Sequence, residues 1–172
     1  MKKLFAGVFV LSCFIGQAQE HPNTAATEQL TVEGKVEKPF VFTLKDAGEY
    51  KIYSVDSLVI YNHLHERKRT VRNIKGILLK DILSKVVIDE KSPKLLSEFY
   101  FTCLAADGYK VVFSWNEIFN TEIGNHIMIA TEADGLKGEM MPDRLQLLSV
   151  ADIATGRRFM KGISKIIVDR AK

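Results

Sequence analysis

The chain has 172 residues, 47% hydrophobic and 26% charged, which is enough for one hydrophobic core and free of the compositional bias of a disordered chain. Its 24 basic residues against 21 acidic leave a net charge of +3, which argues against a nucleic-acid binder working through a concentrated basic face.

Lys2 and Lys3 precede an apolar run from Leu4 to Ile15 and the small-residue segment Gly16-Gln17-Ala18, the pattern of a secretory signal peptide cut after Ala18. The run is too short to span a bilayer, so the mature chain is expected to be exported, to the periplasm, with no transmembrane segment. Val10-Leu11-Ser12-Cys13 loosely resembles a lipobox. That alternative, a lipid anchor on Cys13, leaves a very short apolar region and puts Leu11 where it is uncommon. Cleavage after Ala18 removes two lysines and no acids, leaving 22 basic against 21 acidic residues and a net charge of +1. If Cys13 leaves too, Cys103 is the only cysteine, no intramolecular disulfide forms, and stability must come from the core. The expected organisation is a signal peptide (1–18), a flexible N-terminal segment (19–29) and a single domain (30–170).

From Leu30 the apolar residues alternate: Leu30, Val32 and Val36, then Phe40, Phe42 and Leu44, the period of strands with one buried face. Pro39 confines its strand to an edge or marks its start. Tyr50 to Tyr61 predicts further strand with a bend or bulge at Asp56-Ser57. Asn62 to Asn73, with His63, His65, Glu66, Arg67, Lys68, Arg69 and Arg72, reads as a polar, locally cationic connection. Leu78, Leu79, Ile82, Leu83 and Val86 then fall at helical spacing, predicting an amphipathic helix entered just after Gly76.

Phe99 to Leu104 reads as a buried-type strand. Asp107-Gly108 is a turn dipeptide, and Tyr109 to Phe113 is an aromatic and β-branched run, so the segment from Glu98 to Phe113 predicts a hairpin. Ser114 stands three residues before Glu117, a capping box opening a short helix at Trp115. Short strands are expected at Ile127 to Ala130 and Leu145 to Val150, with a turn at Ala133-Asp134-Gly135. The chain closes with a helical turn and a strand through Ile163, Ile166, Ile167 and Val168.

Several of these stretches, in this order, resemble the oxidoreductase molybdopterin-binding domain of the sulfite oxidase group. They are Lys75-Gly76-Ile77-Leu78-Leu79-Lys80-Asp81-Ile82-Leu83, Ala106-Asp107-Gly108-Tyr109-Lys110-Val111-Val112-Phe113-Ser114, and Asp134-Gly135 followed by Asp143-Arg144-Leu145-Gln146-Leu147-Leu148. Arg158-Phe159-Met160-Lys161-Gly162-Ile163 and Ile166-Ile167-Val168 complete the set. The resemblance covers Leu30 to Val168. It implies an α+β fold, a single domain of mixed β-sheets with short peripheral helices. Catalytic members of that family hold molybdenum through a cysteine thiolate upstream of the Gly76-Ile77-Leu78 equivalent. Tyr50 to Lys75 here contains Ser54 and Ser57 but no cysteine, and a neutral hydroxyl is a much poorer ligand for that soft metal centre. The chain thus resembles a short exported branch that keeps the scaffold without the second domain of the multidomain enzymes.

Arg157, Arg158 and Lys161, with Arg144, are the candidate anion-binding residues. Arginine forks match phosphate oxygens, and the resemblance places the family's terminal pterin-phosphate contacts near these positions. The bland alternative is a solvated basic loop. His63 and His65 would share a face if their segment is extended, which suits a transition metal with His126 or Glu66 as third ligand; two histidines alone are more often exposed loop residues. Cys103, within an apolar run, is more often a small buried hydrophobe than a substitute metal ligand. Asp107 beside glycine is usually turn chemistry rather than a general base. Tyr109 and Trp115 are candidates to line a pocket, though aromatics beside strands are more often core.

The function expected is an exported, non-catalytic binding or scaffold module whose partner is a small anionic ligand or another exported protein. The alternative is a molybdopterin-dependent oxidoreductase with an atypical metal ligand, Cys103 or a serine. No cofactor is expected under the first; molybdopterin is the one the second requires.

Overall fold

The computed structural model describes residues 26–172, so the expected signal peptide, Cys13 and most of the N-terminal segment lie outside the described residues. The elements run β1 (Gln29–Gly34), β2 (Phe40–Thr43), β3 (Tyr53–Tyr61), β4 (Arg67–Leu78), α1 (Leu79–Leu83), β5 (Phe99–Ala105) and β6 (Lys110–Ser114). They continue with α2 (Trp115–Phe119), β7 (Ile127–Ala133), β8 (Leu136–Lys137), β9 (Gln146–Ser149), β10 (Met160–Lys161) and β11 (Ile163–Arg170). This is the expected α+β architecture of mixed sheets with short helices in one domain.

A five-stranded sheet takes the order β2-β1-β11-β5-β6, and a six-stranded sheet takes β10-β9-β7-β4-β3 with β8 added to β7. β1 and β11 pair in parallel, Thr31 opposite Lys165, while the other pairs are antiparallel. The main core lies between the sheets. It joins Leu30, Phe42, Phe101, Phe113 and Ile166 of the first to Ile77, Ile127, Ile129 and Leu147 of the second. The opposite face of the six-stranded sheet has its own cluster, in which Leu58, Ile60, Val71, Met128 and Leu148 meet. β7 and β9 are therefore buried on both faces: β7 opens with the continuous apolar run Ile127 to Ala130, and all four residues of β9 are buried.

Three sequence expectations change. The stretch from Asn62 to Asn73 is not a connection throughout: Arg67 onward is β4, paired with β3 from Tyr61↔Arg67 to Tyr53↔Gly76. Its first residues are exposed and charged, so the period carried no apolar signal there. The expected amphipathic helix shrinks to α1, because Gly76 to Leu78 complete β4 against β7. Gly76 permits this pairing: a Cβ there would meet the Ile129 carbonyl oxygen. Nor is all of 19–29 loose, since Thr27 bridges Arg144 and β1 begins at Gln29.

The hairpin of β5 and β6 forms as expected, Cys103 opposite Val111. Asp107 Oδ1 accepts from the Tyr109 N–H at 2.9 Å, an Asx-type turn. The capping box is complete: Ser114 Oγ accepts from Glu117 N–H at 3.1 Å, and Glu117 Oε2 accepts from Ser114 N–H at 2.8 Å. No helix among the described residues is long and apolar enough to cross a membrane.

Candidate functional site

Local chemistry builds a cationic cleft where β3 turns into β4. Asn62 organises that turn. Its side-chain oxygen accepts from the N–H groups of Leu64 and Glu66, both at 2.9 Å, and its amide donates to Glu66 at 2.9 Å. His65 sits in the left-handed region at φ 58°, so the segment is a tight turn and not the extended run that would put His63 and His65 on one face. Among the described residues no three His, Cys, Asp or Glu side chains gather as metal ligands.

The opposite wall is the 3-10 turn Thr155–Arg158, held from three sides. Thr155 is buried; its hydroxyl donates to the Val59 carbonyl at 2.6 Å and accepts from the Tyr61 N–H at 3.0 Å, pinning the turn to the end of β3. Gly156 lies so close to β3 that a Cβ would stand 2.6 Å from the Tyr61 carbonyl oxygen. The Tyr109 hydroxyl, at the tip of the β5–β6 hairpin, donates to the Arg157 carbonyl at 2.5 Å.

Arg158 supplies the third hold. Its Nε and Nη2 donate to the Asp152 carboxylate at 2.8 and 2.6 Å, and its Nη1 donates to Glu117 Oε1 at 3.0 Å. The guanidinium also lies 4.6 Å from the Phe113 ring centroid. The Asp152 hydrogen bonds raise the Arg158 pKa further above its already high ordinary value, against a smaller opposing effect of burial. For Asp152 the balance runs the other way. Burial pushes its carboxyl up, but hydrogen bonds from Arg158 and Ser149, with the guanidinium charge, outweigh it and hold the group below the ordinary carboxylate range.

Between these walls lies a cleft of about 380 Å³ lined by Ile60, Asn62, His63, Lys68, Tyr109, Gly156 and Arg157. Among the described residues no carboxylate lines it. Lys68 Nζ is 3.0 Å from Glu66 Oε2 just outside, and that bond first, then the Asn62 amide, holds the Glu66 carboxyl below its usual range. Arg157 is exposed, and its side chain makes no hydrogen bond or ion pair among the described residues.

The four cations singled out in the sequence do not converge. Arg157 faces the cleft, and Arg158 stands behind it with its donors engaged. Arg144 pairs with Glu28 in a separate polar recess that Lys45 and Glu139 also line. Lys161 stands 3.5 Å from Asp143 at a further cavity. His63 joins Arg157, whereas Trp115 lines an apolar groove with Phe119 and Leu83. Lys68 and Asn62 were read only as part of a cationic connection, and Thr155 and Gly156 were not singled out as site residues. Asn62 at the head of a polar turn and the Thr155-Gly156 pair before two arginines were the available signals.

The donor set suits an anion and does not suit molybdenum. Cys103 is fully buried in β5, and burial pushes its thiol up to about 12, so it offers no accessible thiolate. Ser54 and Ser57 are exposed on β3, an edge strand, and neither lines the cleft.

Comparison with solved structures finds the sulfane dehydrogenase SoxCD from Paracoccus pantotrophus, at TM-score 0.57 and 15% sequence identity, over 81% of this chain and 37% of that one. The similarity establishes that this chain shares its fold with part of that protein. The chain thus spans little more than a third of the length of the protein it matches. No family model and no curated protein matches the sequence.

Proposed function

We propose that this protein is an exported, non-catalytic binding module, and that its ligand is a small oxyanion or phosphate-bearing molecule held in the cleft of His63, Lys68 and Arg157. One observation carries the reading: the turn presenting Arg157 is fixed by Thr155, Tyr109 and Arg158, while the Arg157 guanidinium itself has no hydrogen bond or ion pair among the described residues. A planar fork of donors in a preformed cleft without lining acids recognises oxygen anions. The oxidoreductase alternative lacks support, because none of its candidate ligands reaches the cleft.

Titration calorimetry with inorganic phosphate, sulfate and thiosulfate tests this. One of them should bind, and Arg157→Ala should weaken it about tenfold or more, the loss of a charge-assisted hydrogen bond. Equal affinity in the parent and in Arg157→Ala plus Lys68→Ala would remove the site. Stoichiometric molybdenum on protein from the exported fraction of its native host would instead restore the oxidoreductase.

A further inference from the structure

The apolar groove that Trp115 lines, of about 360 Å³, lies where the segment after α1 meets α2. Its walls are Val86, Val87, Ile88, Leu96, Trp115 and Phe119, and Phe101 of β5, 1% exposed, lies beneath them. The walls are held in place from outside the groove. The Val87 carbonyl accepts from the Glu37 N–H at 2.9 Å, and the Asp89 N–H donates to the Lys35 carbonyl at 3.1 Å, so the 84–90 segment is pinned to the chain after β1. The Phe119 ring packs against Trp115 at 5.3 Å and against Phe101 at 6.2 Å between centroids.

The few polar groups define what the groove accepts. Glu90 is its one charged lining residue among the described residues, and both oxygens are engaged: Oε1 accepts from the Ser92 N–H at 2.8 Å and Oε2 from Arg170 Nη1 at 3.1 Å. Ser84 Oγ donates to the Asp81 carbonyl at 2.7 Å. A cation entering the groove therefore meets no free carboxylate, and an anion meets no cationic lining residue. Either ion would lose its hydration without compensation. The Trp115 indole N–H differs. It donates to no group among the described residues, yet it is not one of the unpartnered side-chain atoms sealed from solvent. It is a reachable donor in an otherwise apolar wall.

We propose that this groove binds a small neutral molecule with an apolar body and one hydrogen-bond acceptor, such as a carbonyl oxygen, that meets the Trp115 indole N–H. The apolar body covers side chains that water now wets, Val87 at 53% exposure foremost, and the acceptor replaces the water on the indole. Because the rings and the 84–90 segment are already fixed, little ordering opposes binding. A cavity of about 150 Å³ holds benzene, so one of this size holds a molecule of about ten to fourteen non-hydrogen atoms. This site is separate from the His63–Arg157 cleft and stands whether or not that cleft binds an anion.

Trp115 is the only tryptophan in the chain, so its fluorescence reads the groove directly. Titration of the full chain with 2-nonanone, nonanoate and nonylamine at pH 7 compares one apolar body with three head groups. The ketone should shift the emission to the blue and saturate with a dissociation constant on the order of 0.1 mM, within reach of a ligand of this size. The two ions should bind at least about tenfold more weakly. Val87→Asp, at an exposed position, should weaken the ketone about tenfold or more, and Trp115→Phe, followed by calorimetry, about fivefold. No change in emission at about ten times the expected constant overturns the proposal. So does either ion binding as tightly as the ketone, or ketone affinity unchanged in Val87→Asp or in Trp115→Phe. Emission that shifts with protein concentration alone would put a second copy of the chain in the groove, with the same consequence.

Discussion

Arg157 and Arg158 are adjacent in the chain and face two regions that treat charge in opposite ways. Behind the 155–158 turn, Arg158 is locked between Asp152, Glu117 and the Phe113 ring, with the three charged side chains 14–32% exposed. In front of it, Arg157, His63 and Lys68 line a cleft with no acid among its lining residues. The first arrangement contributes order and the second leaves binding capacity unused. The fold keeps a cation available by immobilising the residue next to it, and the capping box of α2 takes part, since Glu117 uses one oxygen for the Ser114 N–H and the other for Arg158.

Removal of Asp152 has the largest expected effect. Asp152→Ala leaves a half-buried guanidinium short of its main partner. Because both groups retain some solvent, the loss should fall below that of a fully buried pair, at about 2–3 kcal/mol by urea denaturation. A midpoint like the parent's would mean the network does not support the fold. Thr155→Val keeps the shape but unpairs the Val59 carbonyl and the Tyr61 N–H, for about 1–2 kcal/mol. Arg157→Ala sharpens the contrast, with stability changed by less than about 0.5 kcal/mol.

A smaller effect appears in the acid limb. The native Asp152 pKa is lowered, so its contribution is complete above the unfolded value, about 4, and is lost as pH falls through that value toward the lower native one. Asp152→Asn should flatten the stability profile in that window. An unchanged acid limb would assign the dependence to other carboxylates.

Much of this was legible wherever the partners are near in sequence. The Asp107-Gly108 turn and the Ser114–Glu117 box formed as read, because each joins groups two or three residues apart. The apolar runs that open β5 and β7 announced strands. The charged start of β4 did not, since its place comes from pairing with β3 and not from burying its own side chains. Likewise Gly76 to Leu78 carry helical spacing yet finish a strand, because the close approach of β7 is worth more than an extra helical turn.

The sites divide along the same line. By itself the sequence determined that one core forms, that the 155–158 segment is basic, and that Cys103 belongs to the core; these follow from composition, period and local hydrogen bonding, whereas the α+β architecture was what the family resemblance implied. Which arginine is occupied and which is available was decided only in three dimensions, by Glu117, 41 residues from Arg158, and by Tyr109, 48 residues from Arg157. Four cations that read as one cluster separate into different surroundings because opposite charges and strand register, contacts made across long loops, settle each one's place.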